Sequence, residues 1–141
     1  MTPNSRPTRK RLKIILDANA LFVPLQFNID IFEELKKLLS RNFELVLLSP
    51  TLHEMQRIAS QGSPSMRKKA SYALKLAEKC KLLEVRGEAG TSTDDLILHV
   101  AGRCKCPVFT NDRQLRNRLR DINMPVIYVR QKSRLEIDGR L

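Results

Sequence analysis

The chain has 141 residues, 42% apolar and 29% charged, which suits one domain with a single packed core. Its 26 Lys and Arg outweigh 15 Asp and Glu, and the net charge of +11 points to a polyanionic partner, most simply nucleic acid. No apolar run approaches bilayer length and no apolar stretch follows the basic N-terminus. Neither a membrane span, nor a lipid anchor, nor a secretory leader is therefore expected, and a cytoplasmic setting is.

Residues 1–12 contain Arg6, Arg9, Lys10 and Arg11 and no acid, and read as a flexible basic arm. The folded domain is expected over 13–129. It opens with Ile14-Ile15-Leu16, an apolar run that suits a buried parallel strand. Ile31, Phe32, Leu35, Leu38 and Leu39 then form a stripe at helical spacing. Val46-Leu47-Leu48 predicts a second buried strand, and residues 51–60 and 66–80 predict helices parted by Gly62-Ser63-Pro64. Leu82-Leu83-x-Val85 predicts a third strand, Gly87 to Ser92 a loop, and Thr93 to about Cys104 a helix. Pro107-Val108-Phe109 predicts a fourth strand, Asp112 to Asp121 a helix, and Val126 to Val129 a fifth strand. Residues 130–141, polar and mixed in charge, read as a tail. Strands alternating with helices imply an α/β sandwich on a parallel sheet, which binds ligands beyond the carboxyl ends of its strands.

Four acids fall on that edge. Asp17 directly follows the first strand, Glu54 opens the helix after the second, Asp94 opens the helix after the loop, and Asp112 follows the fourth strand. Carboxylates on one edge repel unless a cation sits among them, and hard divalent ions, Mg²⁺ or Mn²⁺, want such oxygen ligands. Two such ions about 3.5–4 Å apart would support phosphodiester hydrolysis. Taken singly, the acids have a structural alternative as helix caps: Thr51-Leu52-His53-Glu54 matches a capping box, Ser92 or Thr93 suits an N-cap before Asp94 and Asp95, and Asn111 or Asp112 suits another. Asp17, between apolar neighbours, has no such alternative. Asn19, Asp95, Thr110 and Asn111 are auxiliary candidates, to position a water, support Asp112 or contact a phosphate, or else simply loop and cap residues.

Arg113, Arg116 and Arg120 share one helix face beginning beside Asp112, placed to hold RNA phosphates; Arg118 lies off it. Arg9, Lys10 and Arg11 form a second basic group. Arg67, Lys68 and Lys69 read as a solvated face. No aromatic interleaves with the basic clusters along the sequence, so backbone contact rather than base stacking is expected. Cys80, Cys104 and Cys106 lack the spacing of a zinc site and read as reduced, buried small hydrophobes. His99, five residues past Asp94 and off its face, reads as structural.

Four stretches resemble, in order and spacing, the PIN-domain nucleases: Ile14-Ile15-Leu16-Asp17-Ala18-Asn19, Ser49 to Met55, Thr93-Asp94-Asp95-Leu96-Ile97 and Val108 to Asp112. The arginine-rich run from Arg113 to Arg120, with Met124 to Val129 after it, narrows the likeness to the PIN proteins of small-subunit pre-rRNA processing; VapC-type toxins usually lack that helix. The short form is similar to archaeal members. The resemblance implies a three-layer α/β/α fold, Mg²⁺ or Mn²⁺, and endonucleolytic cleavage of single-stranded RNA, here pre-rRNA. It implies that Asp17, Glu54, Asp94 and Asp112 are the metal and catalytic carboxylates. It also implies a homodimer, since such domains often pair. Two other roles fit the same residues: a non-catalytic RNA-binding assembly factor, with the acids as caps, and a toxin ribonuclease of a toxin–antitoxin pair.

Overall fold

A computed structural model describes residues 11–141. Five parallel strands and one antiparallel edge strand make a six-stranded sheet. The chain runs β1 (Leu12–Leu16), a 3-10 helix (Ala18–Phe22), α1 (Val23–Phe27), α2 (Ile31–Leu39), β2 (Phe43–Leu48), α3 (Ser49–Gln61), α4 (Pro64–Ala77) and β3 (Lys81–Leu83). It continues α5 (Thr93–Cys104), β4 (Val108–Phe109), α6 (Arg113–Asp121), β5 (Val126–Arg130) and β6 (Arg134–Asp138). The sheet order is β3-β2-β1-β4-β5-β6. The chain therefore winds outward from β1 to β3, then returns to place β4 on the other side of β1. That reversal makes the gap between the carboxyl ends of β1 and β4 the switch point, where open α/β sheets bind ligands.

Side-chain alternation along the central strands builds two cores, one on each face. Ile14, Leu16, Leu45, Leu47 and Phe109 pack with residues of α2, α3 and α4, including Leu35, Met55 and Ala73. Ile15, Leu48 and Val108 pack with Ile97 and Val100 of α5 and Leu115 and Leu119 of α6. This is the expected three-layer sandwich. Its helices are started by short polar side chains: Asp30 accepts from Phe32 and Glu33 at α2, Ser63 from Met66 at α4, and Ser92 from Asp95 at α5.

Three local expectations need correction. First, α3 starts at Ser49, with Pro50 in its first turn, a position where proline's missing N–H costs nothing. Thr51 is consequently buried inside the helix, and the capping box with Glu54 does not form. Second, the segment after Asp17 is helical from Ala18 to Phe27, where no element was expected. Third, residues 130–141 are not merely a tail: Arg134–Asp138 pairs antiparallel with β5. Leu135 turns into the core while Arg134, Glu136 and Asp138 keep charge toward the outside, a period-two pattern. Among the cysteines, Cys106 is buried and Cys80 half-buried, whereas Cys104 is exposed. No helix among the described residues is long and apolar enough to cross a membrane.

Candidate active site

The chemistry-bearing residues meet where β1 and β4 end. The two strands run in parallel register, Leu16 beside Phe109, and the Asp17 amide donates to the Phe109 carbonyl at 3.0 Å. Asp17 is only 7% exposed, and both carboxylate oxygens are used. Oδ1 accepts from the Ala18 amide at 2.8 Å, and Oδ2 accepts from the Thr110 hydroxyl at 2.7 Å and the Asn19 amide at 3.0 Å. Thr110, fully buried, also accepts from the Asp112 amide at 3.1 Å and from Asn19 Nδ2 at 3.3 Å. Asn19 Oδ1 accepts from the Asn111 amide, and Asn111 Oδ1 from the Val129 amide. One network thus ties the ends of β1, β4 and β5 together and fixes the Asp17 carboxylate. Asn19, Thr110 and Asn111, expected as auxiliaries, are the members that build it.

Asp112 is the N-cap of α6, its Oδ1 accepting from the Gln114 and Leu115 amides. Its role as a cap and its place in the carboxylate group are compatible, because Oδ2 makes no hydrogen bond among the described residues. Asp94, half-buried in the first turn of α5, is held above the usual carboxylate range. Burial is the largest cause, followed by the negative charges of Asp17 and Asp112, with Asp95 adding less. Those causes place the three carboxylates in one electrostatic cluster. Asp95 is ion-paired with Arg118 at 2.6 Å and lies below the usual range because of that hydrogen bond.

Glu54 stands on the same sheet edge, but its carboxylate is turned to Arg57 at 2.6 Å and is 46% exposed. Arg57 lowers its pKa, and none of the other three carboxylates affects it. Three of the four expected acids are therefore together and the fourth is held apart by a local i,i+3 pair. The basic residues also redistribute. Arg113 is exposed at the start of α6, beside Asp112. Arg116 lies over the Tyr128 ring at 3.7 Å and reaches Asp138, while Arg120 pairs with Asp138 at 2.6 Å. Two of the three arginines expected on RNA are thus engaged by β5 and β6. The cation whose charge acts on Asp94 is instead Arg118, which lowers its pKa. No spacing in the sequence signals the Arg118–Asp95 pair, which joins two helices across β4. The strand that carries Asp138 was readable from the alternation of β6, though its arginine partners were not. Arg11 lies far from the cluster, in a cleft with Arg41 and Lys81 at the other end of the strands; Arg9 and Lys10 lie outside the described residues.

The donor set suits a hard divalent cation in chemistry: carboxylate oxygens, one of them on a carboxyl whose pKa is raised first by burial and then by its neighbours' charge, and one guanidinium as offset. As they stand, no three His, Cys, Asp or Glu side chains among the described residues are arranged to hold a metal ion, so binding one here requires side chains to move. Asp17, Asp94 and Asp112 would hold the ion, with Glu54 the fourth candidate; its pair with Arg57 is solvent-exposed and screened, a small obstacle to exchanging partners.

A family model described as "PIN like domain" matches residues 14–132, and the chain belongs to the PIN-domain nuclease family. Ribonuclease VapC4 of Methanocaldococcus jannaschii is 33% identical over 128 residues, spanning 90% of this chain and 97% of the relative. Among solved structures, the PIN domain endonuclease Utp24 aligns with a TM-score of 0.75 at 26% identity, covering 92% of both chains. VapBC2 from Rickettsia felis, bound to a promoter DNA fragment, aligns at 0.55 and 17% identity over 76% of this chain and 92% of that one, a likeness of fold.

Proposed function

We propose that this protein is an endoribonuclease that hydrolyses single-stranded RNA at the Asp17–Asp94–Asp112 cluster with Mg²⁺ or Mn²⁺, and that its substrate is precursor rRNA. The observation behind this reading is the convergence of three carboxylates at the switch point, with Arg118 as their nearby cation. A divalent ion bound there supplies charge neutralisation at the phosphate and a more acidic water. The chain's own residues do the rest. Thr110, Asn19 and the Ala18 amide hold Asp17 in one orientation, so no ordering is needed when substrate arrives. Asp112 is fixed by its cap bonds. Arg113 is free to contact a phosphate beside the scissile one. Water oxygen attacks phosphorus, the bond to the leaving ribose oxygen breaks, and that oxygen takes up a proton.

Relatives named ribonuclease and endonuclease support the activity, and the arginine-rich α6 supports the rRNA reading. The VapC4 likeness favours a second role for the same chemistry, a toxin ribonuclease acting with an antitoxin. The testing experiment is cleavage of labelled single-stranded RNA in Mn²⁺, wild type against Asp94→Asn. Cleavage by wild type alone is expected. RNA bound but intact with both proteins would favour an assembly factor. Growth arrest on expression, relieved by an adjacent small gene product, would favour the toxin.

A further inference from the structure

Part of the positive charge not used at the cluster lies along one helix. α4, 14 residues and about 21 Å long, descends from the carboxylate edge of the sheet to the opposite edge. Its buried side is Ala70, Ala73 and Ala77. Beside that stripe, Lys69, Tyr72, Leu76 and Lys79 follow one another at spacings of three and four, along one flank. At the top, Met66 and Lys69 share a groove of about 480 Å³ with Asn19 of the active-site network and the apolar Phe22 and Leu25. In the middle, Tyr72, Lys75 and Lys79 line a second groove of about 480 Å³ against Pro24 and Phe32. At the bottom, Lys79 and Phe32 pass into a cleft of about 500 Å³ closed by Lys36, Arg41, Lys81 and Arg11. The middle groove and the bottom cleft share Phe32 and Lys79, and the top groove, which shares no lining residue with them, follows one turn further up α4 at Lys69, so that the three line a track along that helix.

Seven cations line the track and two acids, Asp30 and Glu44. Asp30 is occupied by capping α2. Of the seven cations, Lys36 has an ion-pair partner among the described residues, Glu33. The other six have none there, and residues 1–10 contain no acid that could supply one. The track also carries aromatic surface: Tyr72 is 48% exposed, and Phe32 and Phe43 stack at 6.5 Å with Lys79 over the Phe32 ring. Tyr72 already stands between Lys69 and Lys75 in the sequence, and the tertiary fold adds Phe32 beside Lys79, so aromatics and cations interleave along the track, the combination that holds single-stranded nucleic acid.

We propose that an RNA strand leaving the carboxylate cluster runs along α4 over Lys69, Tyr72 and Lys75 and anchors its phosphates in the Lys79–Lys81–Arg41–Arg11 cleft at the far edge of the sheet. This rests on the ribonuclease reading for its substrate, but its test does not require cleavage. Lys75 and Lys81 are exposed and outside the catalytic network, so Lys75→Glu/Lys81→Glu leaves the fold and cluster intact. A charge-matched control, Arg103→Glu/Lys105→Glu, reverses two exposed cations off the track.

Binding of a labelled single-stranded RNA of about two dozen nucleotides is measured by anisotropy in EDTA across a salt series. The track variant should lose about tenfold or more in affinity, and its log–log salt slope should fall by about 1.4, for two lost phosphate contacts. The control should lose less than about threefold, through the screened long-range field alone. Equal losses in both variants, or no loss in either, would overturn the track. Loss of affinity in the track variant alone, with a wild-type protein that cleaves nothing in Mn²⁺, would leave the track standing and remove the nuclease reading.

Discussion

The two edges of the central sheet are built from the same strands and are electrostatic opposites. Where β1 and β4 end, Asp17, Asp94 and Asp112 crowd together, and Asp94 resists ionisation because of its burial and its neighbours. Where β1, β2 and β3 begin, Arg11, Arg41, Lys79 and Lys81 surround a cleft with one carboxylate, Glu44. Neither edge neutralises itself. An edge of unbalanced carboxylates selects a small hard cation, and an edge of unbalanced cations selects a phosphate backbone. The parallel topology separates them by the length of β1, about 16 Å for its five residues. That separation lets one molecule attract a polyanion without neutralising the acids it needs.

The sharpest way to break this contrast is at the carboxylate edge. Asp17→Asn keeps the shape and most hydrogen bonds but removes the charge. Cleavage of single-stranded RNA in Mn²⁺ should fall by more than about 100-fold, beyond what loss of an outer partner of a metal site costs. Retained cleavage would show that the edge is merely a set of helix caps. Thr110→Val comes next. It deletes the hydroxyl that donates to Asp17 at 2.7 Å and accepts from the Asp112 amide. Calorimetric titration should show Mn²⁺ affinity weakened about 10–100-fold, with Asp17 and Asp112 still present.

Smaller effects sharpen the comparison. Asp138→Asn removes the carboxylate shared by Arg116 and Arg120. Denaturant melts should show about 0.2–1 kcal/mol lost, as for partly exposed ion pairs. RNA binding should change little or rise, because those arginines are structural. Asp94 makes the last prediction, and its sign is set by linkage. Its pKa in the fold lies above the ordinary aspartate value, chiefly because it is buried, so the folded state holds that proton more tightly than the unfolded one. Stability from this group is fully present below about pH 4 and is lost as pH rises through the raised value. In EDTA, Asp94→Asn should therefore melt higher than wild type at neutral pH, and the gap should close on acidification. A lower melting temperature at pH 7 would show that Asp94 is a stabilising cap.

The strands around the switch point were legible because Ile14 to Leu16 and Val46 to Leu48 are continuous apolar runs, and Asp17 was conspicuous as an acid directly after one. What the sequence hid were partners across the fold. The spacing of Arg113, Arg116 and Arg120 correctly described a helix face, but not that β6 brings Asp138 against two of them. Every second residue of β6 is charged, so composition disguised a strand that alternation reveals. Glu54 had a competing partner one turn away, Arg57, as local as the capping box it was read into. Lys69, read as part of a solvated run, lies beside Asn19 only because α4 packs against the helices after β1.

The central claim is that one edge cuts and the other holds. The most direct measurement is single-turnover cleavage of a labelled single-stranded RNA in Mn²⁺, with the rate followed as protein concentration is raised. Wild type, Asp94→Asn and Lys75→Glu/Lys81→Glu are compared. The account predicts that Asp94→Asn loses the saturating rate while still binding RNA. It predicts that the lysine variant keeps the saturating rate and needs about tenfold more protein to reach half of it. A saturating rate untouched by Asp94→Asn, or abolished by the lysine substitutions, would contradict it.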